Sequence, residues 1–193
     1  MPEEGKRWLN ILKSKLATAF PDVEFRVVNS GVGGNSAREA MTRFQSDVVA
    51  HDPDWVLLEL GGNNDDPDTA ARRVTVDEFQ QHLRDFRCGL LAKTRVLVIT
   101  FPHVMDESIC YGKAWYQQFG GPDATLERFR MITRTFAAEN GFPLVDLSME
   151  MKRRIASENG NHYSLPDGVH LTEAGNRLLA EMSFDALREE LNH

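Results

Sequence analysis

Residues 167–175 read DGVHLTEAG, with Asp167 three positions before His170 and Thr172 placed to open a helix. A carboxylate that accepts from one ring nitrogen of a histidine fixes its tautomer and leaves the other nitrogen as a general base. The plain alternative for D-x-x-H is an aspartate cap beside a surface histidine. Two other stretches can do chemistry. In NSGVGGNS (29–36) three glycines allow positive φ and close approach of backbone to a ligand. N–H groups opening the following helix can hold negative charge; a simple tight turn is the rival. In LGGNND (60–65) an asparagine amide offers a donor for an oxyanion that takes up no proton. The rival there is an Asn-rich turn, with Asp65 or Asp66 as the cap of the next segment.

The remaining candidates carry less. His51, His82, His103, His162 and His193 have no comparable acid partner in sequence, although His103 follows an apolar run and stands where it can line a pocket. No H-x-x-x-H, H-E-x-x-H or cysteine cluster is present, so neither a metal nor a cofactor is expected. Cys88 lies in a helical pattern and reads as a buried small hydrophobe, whereas Cys110 lies in a loop. The dinucleotide fingerprint G-x-G-x-x-G fails, because Ser36 stands where its third glycine belongs.

The elements that must position these residues alternate. Trp8, Leu9, Leu12, Leu16 and Phe20 mark one face of a helix over 6–20. VEFRVVN (23–29) predicts a strand, and the capping-box spacing of SARE (36–39) predicts a helix running through Val48. WVLLEL (55–60) and RVLVIT (95–100) are continuous apolar runs, as in parallel strands covered on both faces. TVDE (75–78) caps a helix through Phe79, Leu83, Phe86 and Leu90, and a further helix passes through Leu126, Phe129, Ile132 and Phe136. PLVDL (143–147) predicts a short fourth strand, with helices near 149–157 and from Thr172 through Leu187. Four strands separated by helices predict a three-layer α/β/α, flavodoxin-like domain with a central parallel sheet, a single domain over 1–193. In such sheets ligands bind beyond the carboxyl ends of the strands, where all three motifs fall. The long loop 101–125 carries Trp115, Tyr116 and Phe119, read either as an apolar or sugar-stacking wall or as a cluster pinning the loop.

Composition narrows the function classes. At 193 residues with 41% hydrophobic content the chain can bury a proper core. A net charge of −7 argues against nucleic acid as a partner. KRR (152–154), the densest basic cluster, reads as a solvated helix face. No apolar run is long enough to span a bilayer, so no membrane span is expected. A cytoplasmic protein is the default, and composition sets no oligomeric state.

In this order the three motifs resemble the SGNH (GDSL-type) hydrolases, a family of esterases and acylhydrolases, from about RWLNILKSKL to HLTEAGNRLLA. VVNSGVGGNS resembles the family's second block, which implies that the Gly34 N–H forms part of an oxyanion hole. LELGGNND resembles the third block, G-x-N-D. Strand register implies Asn63 as its oxyanion donor, while a frame shifted by one residue, Gly62-Asn63-Asn64-Asp65, implies Asn64. DGVHLTEAG resembles the last block, implying His170 as base and Asp167 as its partner.

The family's first block, a G-D-S that closes the first strand and carries the nucleophilic serine, has no match in this chain. Ser30, Ser36, Ser108 and Ser164 are the internal serines near the motifs, with turn chemistry for Ser30 and helix capping for Ser36 as the better readings. The expectation is therefore a sheet lacking the family's first strand and a serine lying before Met1, with a missing segment on another chain as the alternative. The completed protein would hydrolyse small acyl esters, such as acetyl esters of carbohydrates or short-chain lipids, and the chain alone would be inactive. The rivals are a catalytically inactive SGNH-like binding module and a flavodoxin-like nucleotide-binding domain holding phosphate at 31–36.

Overall fold

The computed structural model describes residues 4–65, 73–107, 114–158 and 160–192. Two apolar runs give the central strands β1 (Trp55–Glu59) and β2 (Arg95–Ile99), joined in parallel with Leu57 opposite Leu97. A two-residue strand, β3 (Leu144–Val145), pairs in parallel with the other edge of β2. Residues alternate between faces of a strand. Val96 and Val98 therefore enter one core with Phe79, Leu83, Phe86 and Phe129, and Leu97 and Ile99 enter another with Leu12, Leu16, Leu178 and Leu179.

Helices supply both covers. On the first face lie α2 (Ala37–Thr42), α3 (Phe44–Asp47), α4 (Val76–Gly89) and α6 (Pro122–Asn140), with the short α5 (Ala114–Gln117) leading into α6. On the second lie α1 (Trp8–Ala19), α7 (Leu147–Glu158) and α8 (Glu173–Leu191). The expected three-layer arrangement around a parallel sheet is what the chain forms.

Several elements depart from expectation. Residues 23–29 form no strand: Val23 lies in a bend, and among the described residues the backbone of 24–31 makes no bond to other backbone. Strand propensity requires a neighbour to become a strand, and here none is bonded. The helix expected over 36–48 breaks at Arg43, which sits at φ −114°. That break turns Phe44 inward, 5.1 Å from Phe86. The strand expected over 143–147 ends at Val145, because Asp146 accepts the Met149 N–H and starts α7 at Leu147. The helix expected from Leu126 opens earlier, with Pro122 in its first turn. Cys88 is exposed, not buried: Phe79, Leu83 and Phe86 set the inward stripe of α4, and position 88 falls off it. Cys110 and Ser108 lie outside the described residues.

β1 is consequently an edge strand. Trp55, Val56 and Leu57 are only half-buried, while Val96, Leu97 and Val98 beside them are sealed.

Candidate active site

His170 and Asp167 stand in the loop leading into α8. Asp167 Oδ1 accepts the backbone N–H groups of Val169 and His170, both at 2.9 Å. Its Oδ2 is 2.8 Å from His170 Nδ1. The turn is thus folded around the carboxylate, which presents its second oxygen to the ring. Burial works to raise the Asp167 pKa, but the two N–H groups and the His170 ring outweigh it and hold the carboxyl below its usual range. With Nδ1 committed to Asp167, Nε2 is left facing outward, and no partner meets it among the described residues. The ring is half-exposed.

The helix after this loop explains the rest of the motif. Thr172 Oγ1 caps α8 by accepting the Gly175 N–H at 3.1 Å. A Cβ at Gly175 would lie 2.3 Å from the Tyr163 carbonyl oxygen, so only glycine lets α8 approach the 163–171 loop this closely. Asn176 then ties α8 to α1, its Oδ1 accepting the Trp8 N–H at 2.9 Å.

The glycine turn and the amide loop meet each other. Gly34 adopts φ +81°, a left-handed conformation that a side chain disfavours. Ser36 closes the turn with the expected capping box to Glu39. Asn64 is completely buried, and its Oδ1 accepts the Ala37 N–H at 2.9 Å. Asn63 is half-buried, and its Nδ2 reaches only the Asn35 carbonyl, at a long 3.4 Å. Asn64 is anchored through its oxygen while its Nδ2 is buried without a hydrogen bond, and Asn63 carries its amide in a half-buried position.

Aromatic residues join this half to the histidine half. Tyr116, 1% exposed, donates its hydroxyl to the Asp65 carbonyl at 3.0 Å, and Trp115 Nε1 donates to Asp65 Oδ1 at 3.0 Å. Tyr116 also packs with Val104, Phe101 and Val169, the neighbour of His170. The Arg73 guanidinium covers the Trp115 ring at 3.9 Å, and Trp115 meets Phe119 edge-on. Of the two readings of this loop, the pinning cluster is the one these contacts describe. His103 belongs to a separate structural group: Nδ1 faces Asp123 Oδ1 at 3.0 Å, and the same carboxylate holds Arg130 and Lys152.

The serines near the motifs are placed elsewhere. Ser30 Oγ donates to the Asp47 carbonyl, Ser36 Oγ belongs to the capping box, and Ser164 Oγ is buried without a hydrogen bond. Glu59, which in sequence answers only unpersuasively to the acidic residue of a dinucleotide-binding site, closes β1. The residue is exposed at the strand end, while protein atoms around its carboxyl act to push the pKa up, to about 7.

A family model of GDSL-like lipases and acylhydrolases matches residues 2–178. The chain belongs to that family. As a GDSL-like acylhydrolase it has hydrolase relatives. An acetylxylan esterase of Geobacillus stearothermophilus is 26% identical over 197 residues, spanning 95% of this chain and 84% of the esterase. Thioesterase 1/protease 1/lysophospholipase L1 of Escherichia coli strain K12 is 25% identical over 170 residues, spanning 86% and 69%. The solved Geobacillus acetylxylan esterase superposes with a TM-score of 0.77 at 22% identity, covering 94% of this chain and 80% of its own. A lipase/acylhydrolase from Enterococcus faecalis gives 0.76 at 20% identity, covering 95% and 85%. The fold of this GDSL-like acylhydrolase is therefore that of the SGNH hydrolases. Among the described residues, no helix is long and apolar enough to cross a membrane.

Proposed function

We propose that this chain supplies the base and oxyanion half of an esterase site acting on small acyl esters, with acetyl esters of carbohydrates as the leading class. The observation that carries the reading is the 2.8 Å contact of His170 Nδ1 with Asp167, which leaves Nε2 without a partner among the described residues. His170 Nε2 removes the proton of a serine hydroxyl as that oxygen attacks the ester carbonyl. The Gly34 N–H and the Asn63 amide receive the oxyanion of the tetrahedral intermediate. Proton return from His170 releases the alcohol, and a water activated by the same nitrogen then cleaves the acyl-serine. Asp167 holds the ring and balances the imidazolium charge.

The serine comes from polypeptide outside these 193 residues. The positions of Ser30, Ser36 and Ser164 support that assignment, since none is hydrogen-bonded to the histidine. The sugar-ester preference draws on the acetylxylan esterase relative. In solved structures of that esterase described as catalytic mutants, a serine or an aspartate is replaced by alanine.

The test compares the 193-residue chain with a form extended at its amino end by the in-frame upstream coding sequence, using p-nitrophenyl acetate and acetylated xylo-oligosaccharides. The extended form should turn over both, lose activity on His170→Ala, and leave the short chain inactive. Hydrolysis by the short chain at rates typical of the family, abolished by His170→Ala, would overturn the external serine. Ester binding by the extended form without turnover would favour the binding-module reading.

A further inference from the structure

Residues 101–106 leave the carboxyl end of β2 and form neither helix nor strand, yet each of them is held in place. Two side chains of α6 do most of the holding. Arg130, 1% exposed, donates Nε to the Phe101 carbonyl at 2.9 Å and Nη2 to the Pro102 carbonyl. Its Nη1 stands 2.8 Å from Asp123 Oδ1. That oxygen accepts the Val104 N–H at 3.0 Å and stands 3.0 Å from His103 Nδ1. Lys152 Nζ, from α7, meets Asp123 Oδ2 at 2.8 Å, and Asp106 Oδ1 accepts the Asp123 N–H at 3.2 Å. Burial works to raise the Asp123 pKa, but His103, Arg130, Lys152 and the Val104 N–H outweigh it and hold the carboxyl well below its usual range.

The clamped segment runs between the two halves of the candidate site. At its start the Phe101 ring crowds the loop that carries Asn63: a Cβ at Gly62 would fall 2.0 Å from Phe101 Cε2. Near its end the Met105 N–H donates to the Gly168 carbonyl at 3.0 Å, inside the turn whose Asp167 and His170 are paired. Gly168 sits at φ +74°, in the left-handed region, and has no side chain with which to anchor that turn. Between the two ends Val104 is completely buried with Tyr116, and Val169 packs against the pair.

We propose that Arg130 and Asp123 are positioning residues for the esterase site: through residues 101–105 they fix the Asp167–His170 turn relative to the Asn63 loop. Both act through backbone, since their hydrogen bonds and ion pairs go to the clamped segment and to one another, not to His170 or Asn63. A connecting segment is ordinarily the mobile part of a fold, whereas here two buried charges converge on one. Arginine suits the place because its planar fork spans two successive carbonyls and a carboxylate at once, which an ammonium cannot do. The chemistry demands such bracing, because a base misplaced by about 1 Å can cost about 10²-fold in rate. The inference rests on His170 as the base of an esterase, but the bracing itself is measurable without any ester.

In the 193-residue chain the Val104 and Met105 amides should exchange as slowly as that of Val98 in β2, because opening them requires dismantling the brace. Exchange at the rate of an open loop would overturn the proposal with no variant needed. Arg130→Lys and Asp123→Asn should each draw the two His170 ring nitrogen shifts together at about pH 8, where an ordinary imidazole is neutral, as the tautomer held by Asp167 averages. Phe136→Leu, a buried position toward the far end of α6, should lower the unfolding midpoint comparably and leave those shifts in place. Met105→Pro deletes the N–H that meets Gly168 and spares the buried charges, so it should move the ring shifts with little change in midpoint. In the serine-completed enzyme the Arg130 and Asp123 variants should lose about 10- to 100-fold in kcat, with KM within about twofold. Three further results would overturn the proposal: ring shifts that move as far in Phe136→Leu as in Arg130→Lys, meaning plain destabilisation; ring shifts unmoved in Met105→Pro; or a loss confined to KM. Should Arg130→Lys or Asp123→Asn not fold, exchange in the unaltered chain and Met105→Pro decide the matter. If the serine-completed enzyme turns over no ester, the esterase reading falls, while exchange and ring shifts still decide whether Arg130 and Asp123 set the His170 turn.

Discussion

Asn64 Oδ1 accepts the Ala37 N–H at 2.9 Å with both residues completely buried, which bolts the loop after β1 to the first turn of α2. Its neighbour Asn63 has no such duty. Asn64→Ala should cost about 1–3 kcal/mol, because it strands a buried helix N–H. Asn63→Ala should leave urea unfolding nearly unchanged, yet lower kcat of the serine-completed enzyme by about 10²–10³. The reverse pattern would make Asn64 the oxyanion donor.

Asp167→Asn keeps the shape of the loop but offers an N–H₂ or a neutral oxygen to His170. In the serine-completed enzyme kcat should fall by about 10⁴, with KM little altered. In the 193-residue chain, nitrogen chemical shifts of the His170 ring should report a changed tautomer. An unchanged ring spectrum and a small kcat effect would reduce the pair to a turn device. Since the Asp167 pKa is lowered in the folded chain, its contribution to stability is present above the ordinary carboxylate pKa. That contribution is lost as pH falls through the lower, folded value.

Glu59 reverses that sign. Its folded pKa of about 7 lies above the ordinary 4.5, so the folded chain binds the extra proton between those values. Stability from this group is therefore highest below pH 4.5 and declines as pH rises toward 7. Glu59→Gln should flatten this part of the pH dependence in denaturant titrations. An equal slope in the variant would assign it to another group.

Gly175→Ala would place a methyl group against the Tyr163 carbonyl, which already accepts the Thr172 N–H at 2.9 Å. Overpacking of this kind costs about 1–3 kcal/mol. The strain falls on the loop that carries His170, so its ring signals should shift while amide protection in β2 stays as it was. Unshifted His170 signals would show that α8 gives way instead.

Much of the fold was legible from residue order. Apolar runs fixed β1 and β2, capping residues fixed the starts of α2, α4 and α8, and D-x-x-H marked an acid and base pair, because each depends on contacts between near neighbours. Gly175 was visible only as a motif letter; its reason is a carbonyl twelve residues away in sequence and touching in space. The split between Asn63 and Asn64 was equally hidden, since both are asparagines in one turn and only burial against Ala37 separates them.

Residues 23–29 show the limit most clearly. Val23, Phe25, Val27 and Val28 state a preference for strand backbone. A strand, however, is a relation between two backbones, and propensity cannot supply the second. Sequence determined that Asp167 and His170 lie within reach of each other and which helices cover the sheet. Tertiary structure decided that no described strand pairs with the outer side of β1, that the carboxyl of Glu59 is crowded enough to favour its proton, and that His170 Nε2 meets no partner among the described residues. Those three facts arise from the surroundings of each group in space, which local order along the chain does not encode.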